Sequence, residues 1–120
     1  MPKDGRALGV SGEALAAEHL RGLGYRILGT DVRTPLGQLD LIAQDGDTLV
    51  FVEVKARGGV AFGLPQEGVG AHKIRKLQQL ARYVLQRHPH PGPVRFDVIG
   101  LVVRGGRVLR LDHIKNAIDS

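Results

Sequence analysis

The stretch "LDLIAQDGDTLVFVEVKAR", residues 39 to 57, decides how this chain folds. Two apolar runs flank "DGD" at 45–47, and an Asp-Gly pair in that setting closes a hairpin between two strands. Side chains alternate across a strand. In "TLVFVEVKA", Val50, Val52 and Val54 therefore share one face, while Leu49, Phe51, Glu53 and Lys55 share the other. In "GQLDLIAQ", Asp40 shares a face with Gln38 and Ile42, and Leu39 and Leu41 lie opposite. The hairpin places Asp40 and Glu53 on equivalent arms, as near cross-strand neighbours if the register agrees. Charges in strands that otherwise read as core are expensive unless they are paired or bind a metal. Two adjacent carboxylates repel unless a cation sits between them or one keeps its proton.

Working outward, apolar residues recur at helical spacing from about Val10 to Leu23 (Ala16, Ala17, Leu20, Leu23), and Gly24 is a natural stop. Glu13 falls inside that stripe. Capping or compensation of the helix dipole is its ordinary reading, and its core-facing direction makes it a third candidate acid. "YRILGTDV" reads as a strand that turns around Pro35 and Gly37 into the quoted stretch. The Gly-rich residues 57–71 read as a mobile loop, and a second helix follows from about His72 to Gln86. That helix ends near "RHPHPGP", because proline disfavours helix at and just before its own position. "VRFDVIGLVV" is another strand, "GG" at 105–106 turns the chain, "RVLRL" returns, and a short helix from Ile114 closes it. The order predicts one α/β domain over residues 1–120, a mixed β-sheet flanked by helices.

The chain has 120 residues, 42% of them hydrophobic, and a net charge of +5. That balance suits a globular domain with a polyanionic partner, nucleic acid ahead of an anionic membrane. It has no cysteine, which excludes disulfides and thiolate metal sites. No apolar run approaches the length of a membrane helix, and the start lacks a signal-peptide apolar region. Both point to the cytoplasm and away from a membrane partner.

Glu13, Asp40, Glu53 and Lys55 together suit a hard divalent cation, Mg²⁺ or Mn²⁺ in its place. Asp40 and Glu53 are the expected ligands, with the Val54 carbonyl as an additional oxygen. Such an ion activates water and polarises a phosphate oxygen, and Lys55 would orient the water or neutralise charge on the phosphate. In the second helix Ile74, Leu77, Leu80, Ala81 and Val84 form the buried stripe, and Lys73 begins the helix just after the Gly-rich loop. Lys73, Arg75 and Lys76, with Arg57, are the candidate contacts to a nucleic-acid backbone. Gln79 and Tyr83 lie one turn apart and carry no assignment on spacing alone. "HPHP" at 88–91 reads as a polar loop, and Asp97 reads as a structural partner of Arg95. Five aromatic residues are too few for a base-stacking platform.

D-x12-E-x-K after a helix with an inward Glu resembles the PD-(D/E)XK nuclease superfamily, which implies a restriction-endonuclease-like fold. More narrowly, "GEALAAEHLRGLGYRIL", "GQLDLI", "FVEVKAR", "FG-x-P-x-E-x-V", a Lys in the second helix and "RFDVI" resemble the UPF0102 (YraN-like) family over nearly the whole chain. That family is similar to archaeal Holliday junction resolvases. The resemblance implies that Glu13 is the helix acid, Asp40 the metal-binding Asp, and Glu53 and Lys55 the E-x-K pair. Gln38 departs from it, standing where the family usually has Glu. Beside the metal position this removes a negative charge, although Gln still offers a carbonyl oxygen. The expectation is a Mg²⁺-dependent nuclease acting on structured or branched DNA. A non-catalytic nucleic-acid-binding module on the same fold is the alternative, and a homodimer is open in either case.

Overall fold

The computed structural model describes residues 11–58 and 71–117. Most of the Gly-rich stretch read as a loop lies outside the described residues. Along the chain run α1 (Gly12–Gly22), β1 (Arg26–Thr34), β2 (Gly37–Asp45), β3 (Thr48–Gly58), α2 (Ala71–Arg87), β4 (Val94–Arg104) and β5 (Arg107–Ile114). The five strands form one sheet in the order β1-β2-β3-β4-β5. All neighbours pair antiparallel except β3 and β4, which are parallel. A parallel pair needs a crossover, and α2 lies on that connection.

The alternation in β3 sorts the core into two layers. Val50 and Val52 meet Ala16, Ala17 and Leu20 of α1 on one face, joined by Ile99 and Leu101 of β4. Leu49 and Phe51 meet Leu77, Leu80 and Ala81 of α2 on the other, with Phe96 and Val98. Phe51 is fully buried and stacks on Phe96 with ring centroids 5.7 Å apart. This is a restriction-endonuclease-like α/β fold, a mixed sheet with a helix on each face.

Two sequence expectations change. Residues 107–114 continue as strand and Lys115–Asn116 form a turn, so no helix begins at Ile114; residues 118–120 lie outside the described residues. The backbone of Asn116 donates to the Asp97 carboxylate at 3.0 Å, and Ala117 N–H bonds the Phe96 carbonyl at 2.9 Å. Those bonds fold the segment after β5 back against β4. The second change concerns β2: Leu39 packs in the α2 layer and Leu41 in the α1 layer, although strict alternation put them on one face. The β2–β3 register runs from Asp45↔Thr48 to Leu41↔Val52 and stops there. Beyond it β2 parts from β3 and turns toward α2. Its first residue, Gly37, lies so close that an added Cβ would stand 3.2 Å from Lys76 Cε and 3.4 Å from a Leu80 methyl.

Asp97 holds the α1 layer together at its polar end. It is 0% exposed and accepts two bonds from the Arg95 guanidinium, at 2.8 and 3.0 Å. His113 donates a third at 2.8 Å. Arg95 also reaches Asp45 and the Tyr25 hydroxyl, so β2, β4, β5 and the residue before β1 share one network. Burial pushes the Asp97 carboxyl up, but the His113, Arg95 and Asn116 hydrogen bonds outweigh it and hold the carboxyl below its ordinary value. Structural pairing of Arg95 with Asp97, as read from the sequence, is what the fold contains.

Removing the Asp97 charge takes from Arg95 its fully buried carboxylate and leaves only the part-exposed Asp45, which costs about 3 kcal/mol. Asp97→Asn is expected to lose that much in urea unfolding at neutral pH. Because the folded carboxyl is held low, its stabilisation is present above the unfolded value of about 4 and is lost as pH falls through the folded value. The gap between wild type and Asp97→Asn therefore narrows on acidification, and a gap that stayed constant to low pH would contradict this account.

Candidate metal and nucleic-acid site

Where β2 leaves β3, a side chain takes over from the backbone ladder. Val54 N–H donates to Asp40 Oδ2 at 2.8 Å. The carboxylate thus satisfies a strand N–H that would otherwise face the gap without a ladder partner. The ladder stops one residue short of setting Asp40 opposite Glu53, yet both carboxylates line one cleft and Asp40 feels the charge of Glu53. Glu53 is only 9% exposed, on a face otherwise made of Leu49 and Phe51. Lys73, in the first turn of α2, pairs with Glu53 Oε2 at 2.9 Å. Its ammonium is held above its ordinary pKa by that hydrogen bond and by the charge of Glu53.

Glu13 arrives from the other side of the sheet. Ser11 caps α1 by accepting from Ala14 N–H at 3.1 Å, so Glu13 is not needed as the cap. The helix start sits tightly on β3: a Cβ on Gly12 would come within 2.9 Å of the Ala56 Cβ. That close approach brings Glu13 near enough for Asp40 to feel its charge. Burial pushes the Asp40 carboxyl up to about 6; the Val54 N–H opposes this, and the charges of Glu53 and Glu13 add to it. Acids raised in this way cluster at functional sites.

These groups open onto a cleft of about 580 Å³, lined by Gln38, Asp40, Glu53, Val54 and, from α2, Lys73, Arg75 and Lys76. That volume falls in the ordinary range for a ligand site. The carboxylates lie at its floor and the cations along its α2 wall. Glu13 lines a neighbouring cleft that shares Gln38. Lys55 lies two residues beyond Glu53 on the same strand face, partly buried, and is not among the residues lining the cleft. The side chain of Arg57 lies outside the described residues. Gln38 donates its amide to Asp31, an arrangement that a Glu at 38 would turn into repulsion. Gln79, passed over on spacing alone, also lines the cleft, whereas Tyr83 lies under the Arg87 guanidinium at 3.6 Å and belongs elsewhere. His90 in "HPHP" bonds the Asp47 carbonyl oxygen at 2.8 Å, as a loop residue does.

The donor set fits a divalent cation in one respect: two facing carboxylates, one with a raised pKa, share a cleft with an ammonium standing in as counter-charge. Mg²⁺ needs only one or two protein carboxylates because it keeps several waters. Among the described residues no group of three or more His, Cys, Asp or Glu forms a closed ligand cage.

A sheet-bound acidic cleft rimmed by cations, on a restriction-endonuclease-like fold, defines the class of protein. The profile of the uncharacterised protein family UPF0102 matches residues 12–101. UPF0102 proteins of Geotalea daltonii and Symbiobacterium thermophilum are 42% and 48% identical to the chain, covering 97% and 93% of it and 92% and 96% of their own lengths. One from Pelotomaculum thermopropionicum is 46% identical over 93% of the chain and 95% of its own length. The chain belongs to the UPF0102 family.

Asp40 has a folded pKa of about 6 against an ordinary 3.8. A raised acid favours the native state below its unfolded value, and that contribution is lost as pH rises through about 6. At pH 7.5 the ionised carboxylate is therefore a liability. Asp40→Asn, which keeps an acceptor for Val54 N–H, is expected to be more stable than wild type by about 1 kcal/mol there, after allowance for solvent screening. The difference should close toward pH 4. Equal stability at both pH values, measured by denaturant unfolding, would remove the claim that this carboxyl is strained.

Proposed function

We propose that this domain is a Mg²⁺-dependent endonuclease that hydrolyses phosphodiester bonds in structured or branched DNA, Mn²⁺ being an alternative ion. The observation that carries the reading is the meeting of Asp40 and Glu53 in one cleft under the cations of α2. The ion, when bound, would supply a Lewis acid and an activated water. Asp40 and Glu53 would hold it, with the Val54 carbonyl as a further oxygen.

The chain's own residues do the rest. Arg75 and Lys76 line the wall where a phosphodiester enters and neutralise its charge. Lys73, released from Glu53, is placed to follow that charge to the phosphate. Glu13 keeps negative potential at the floor, which supports cation binding. Lys55, on the same strand face as Glu53, orients the attacking water or stabilises the charge that builds on phosphorus. A net charge of +5 favours a polyanionic substrate.

One observation favours the second reading, a binding module without turnover. The Lys73–Glu53 pair and the Val54–Asp40 bond already give both carboxylates a partner. Titration with Mg²⁺ or Mn²⁺ separates the two. Ion binding is expected to raise the wild-type melting temperature by about 5 °C at tenfold excess over Kd, and not that of Asp40→Ala. Equal shifts in both proteins would remove the metal site. Cleavage of a labelled four-way junction should require the ion and fall about a hundredfold in Lys55→Ala. Junction binding without cleavage would leave the module.

A further inference from the structure

The β4–β5 hairpin ends in "RGGR", residues 104–107. Gly105 and Gly106 both have positive φ, at 58° and 78°, as a two-residue turn of this hand requires. Every residue from Arg104 to Arg110 is exposed. Arg104 lies directly opposite Arg107, and Arg110 lies opposite Val102. Like charges opposed across a ribbon are destabilising. Among the described residues neither Arg104 nor Arg107 has an acidic partner, while Arg110 pairs with Asp112 at 2.7 Å.

Register fixes which way these cations face. Glu53 pairs with Val98 and Lys55 with Gly100, and every second residue of β4 keeps that face. Val102 and Arg104 follow, and with them their partners Arg110 and Arg107. All three arginines therefore project from the sheet face that carries Glu53. Because β4 is parallel to β3, the ribbon continues past the strand end where the cleft opens. Arg104 stands six residues beyond Val98, the partner of the cleft residue Glu53, about 20 Å along the strand. A B-DNA major groove is about 12 Å wide and admits a two-stranded ribbon.

Edge strands often carry charge to discourage edge-to-edge pairing. That role needs charge along β5, however, and does not call for an unpaired arginine couple at the tip on the face of the cleft. The same ribbon exposes Leu109 (55%) at the register shift between Arg110 and Val108, while Val108 (40%) lies on the opposite face with Val103. Two exposed arginines on one face, without acidic partners among the described residues, suit contact with an anionic partner.

We propose that the β4–β5 ribbon is an arm that grips the backbone of duplex nucleic acid about 20 Å along the strand direction from the phosphate held in the cleft. The inference rests on the nucleic-acid reading above and adds a second contact, which would make duplex length a requirement for tight binding. It is tested by fluorescence anisotropy on a labelled duplex about three helical turns long, in EDTA, between about 50 and 200 mM salt. Arg104→Ala/Arg107→Ala is expected to lower the slope of log K against log salt by about 2. Arg104→Lys/Arg107→Lys should keep the slope, since phosphate contact needs only the charge. Melting temperature should hold or rise in the alanine variant, because a like-charge pair is removed. An unchanged slope in the alanine variant, with a reduced one in Arg75→Ala/Lys76→Ala, would overturn the arm and leave the cleft standing. Duplex binding absent in wild type would overturn both. Loss of affinity for anionic vesicles, with duplex binding unchanged, would reassign the ribbon to a lipid surface.

Discussion

Asp40 holds β2 and β3 together at the point where their backbones stop pairing. The ladder ends at Leu41↔Val52, and Val54 N–H then finds a carboxylate in place of a carbonyl. A side-chain acceptor lets the two strands separate without orphaning a buried donor. The gap that results admits the α2 cations from one side and the charge of Glu13 from the other. If β2 ran straight on as a regular strand, Leu39 would stay in the α1 layer and the sheet would close over the place where the cleft now lies.

Two aspartates, Asp97 fully buried and Asp40 partly buried, have opposite histories. Asp97 sits among Arg95, His113 and the Asn116 N–H, and its carboxyl is held low. Asp40 has one backbone donor and two acidic neighbours, and burial raises it to about 6. The first tightens the fold. The second works against it, because its charge is partly buried beside Glu53 and Glu13. The Asp97 network ties β2, β4 and β5 together on the α1 face, which provides a rigid floor against which the strained group can be held.

Charge is arranged by face. The α1 layer buries Asp97 between Arg95 and His113, while the α2 face gathers Lys73, Arg75 and Lys76 around Glu53. β3 sets this division, because its even residues pack under α1 and its odd residues under α2. Val98 and Gly100 of β4 take the same face as Glu53 and Lys55, so one parallel pairing carries the polarity of the cleft across the sheet.

The sequence by itself determined the strands, because alternation in "TLVFVEVKA" and the Asp-Gly turn are local signals set by neighbours one or two residues away. It likewise determined α1 and α2, the pairing of Arg95 with Asp97, and the nearness of Asp40 to Glu53, which a hairpin fixes through its turn. It could not place Leu39, since the departure of β2 from β3 depends on α2, some thirty residues downstream. Nor could it find His113 and Asp45 around Asp97, contacts that join distant strands, or the pairing of Lys73 with Glu53 across the crossover. Those belong to tertiary structure alone, because burial and packing against elements far along the chain, rather than any local pattern, decide where a charged side chain finds its partner.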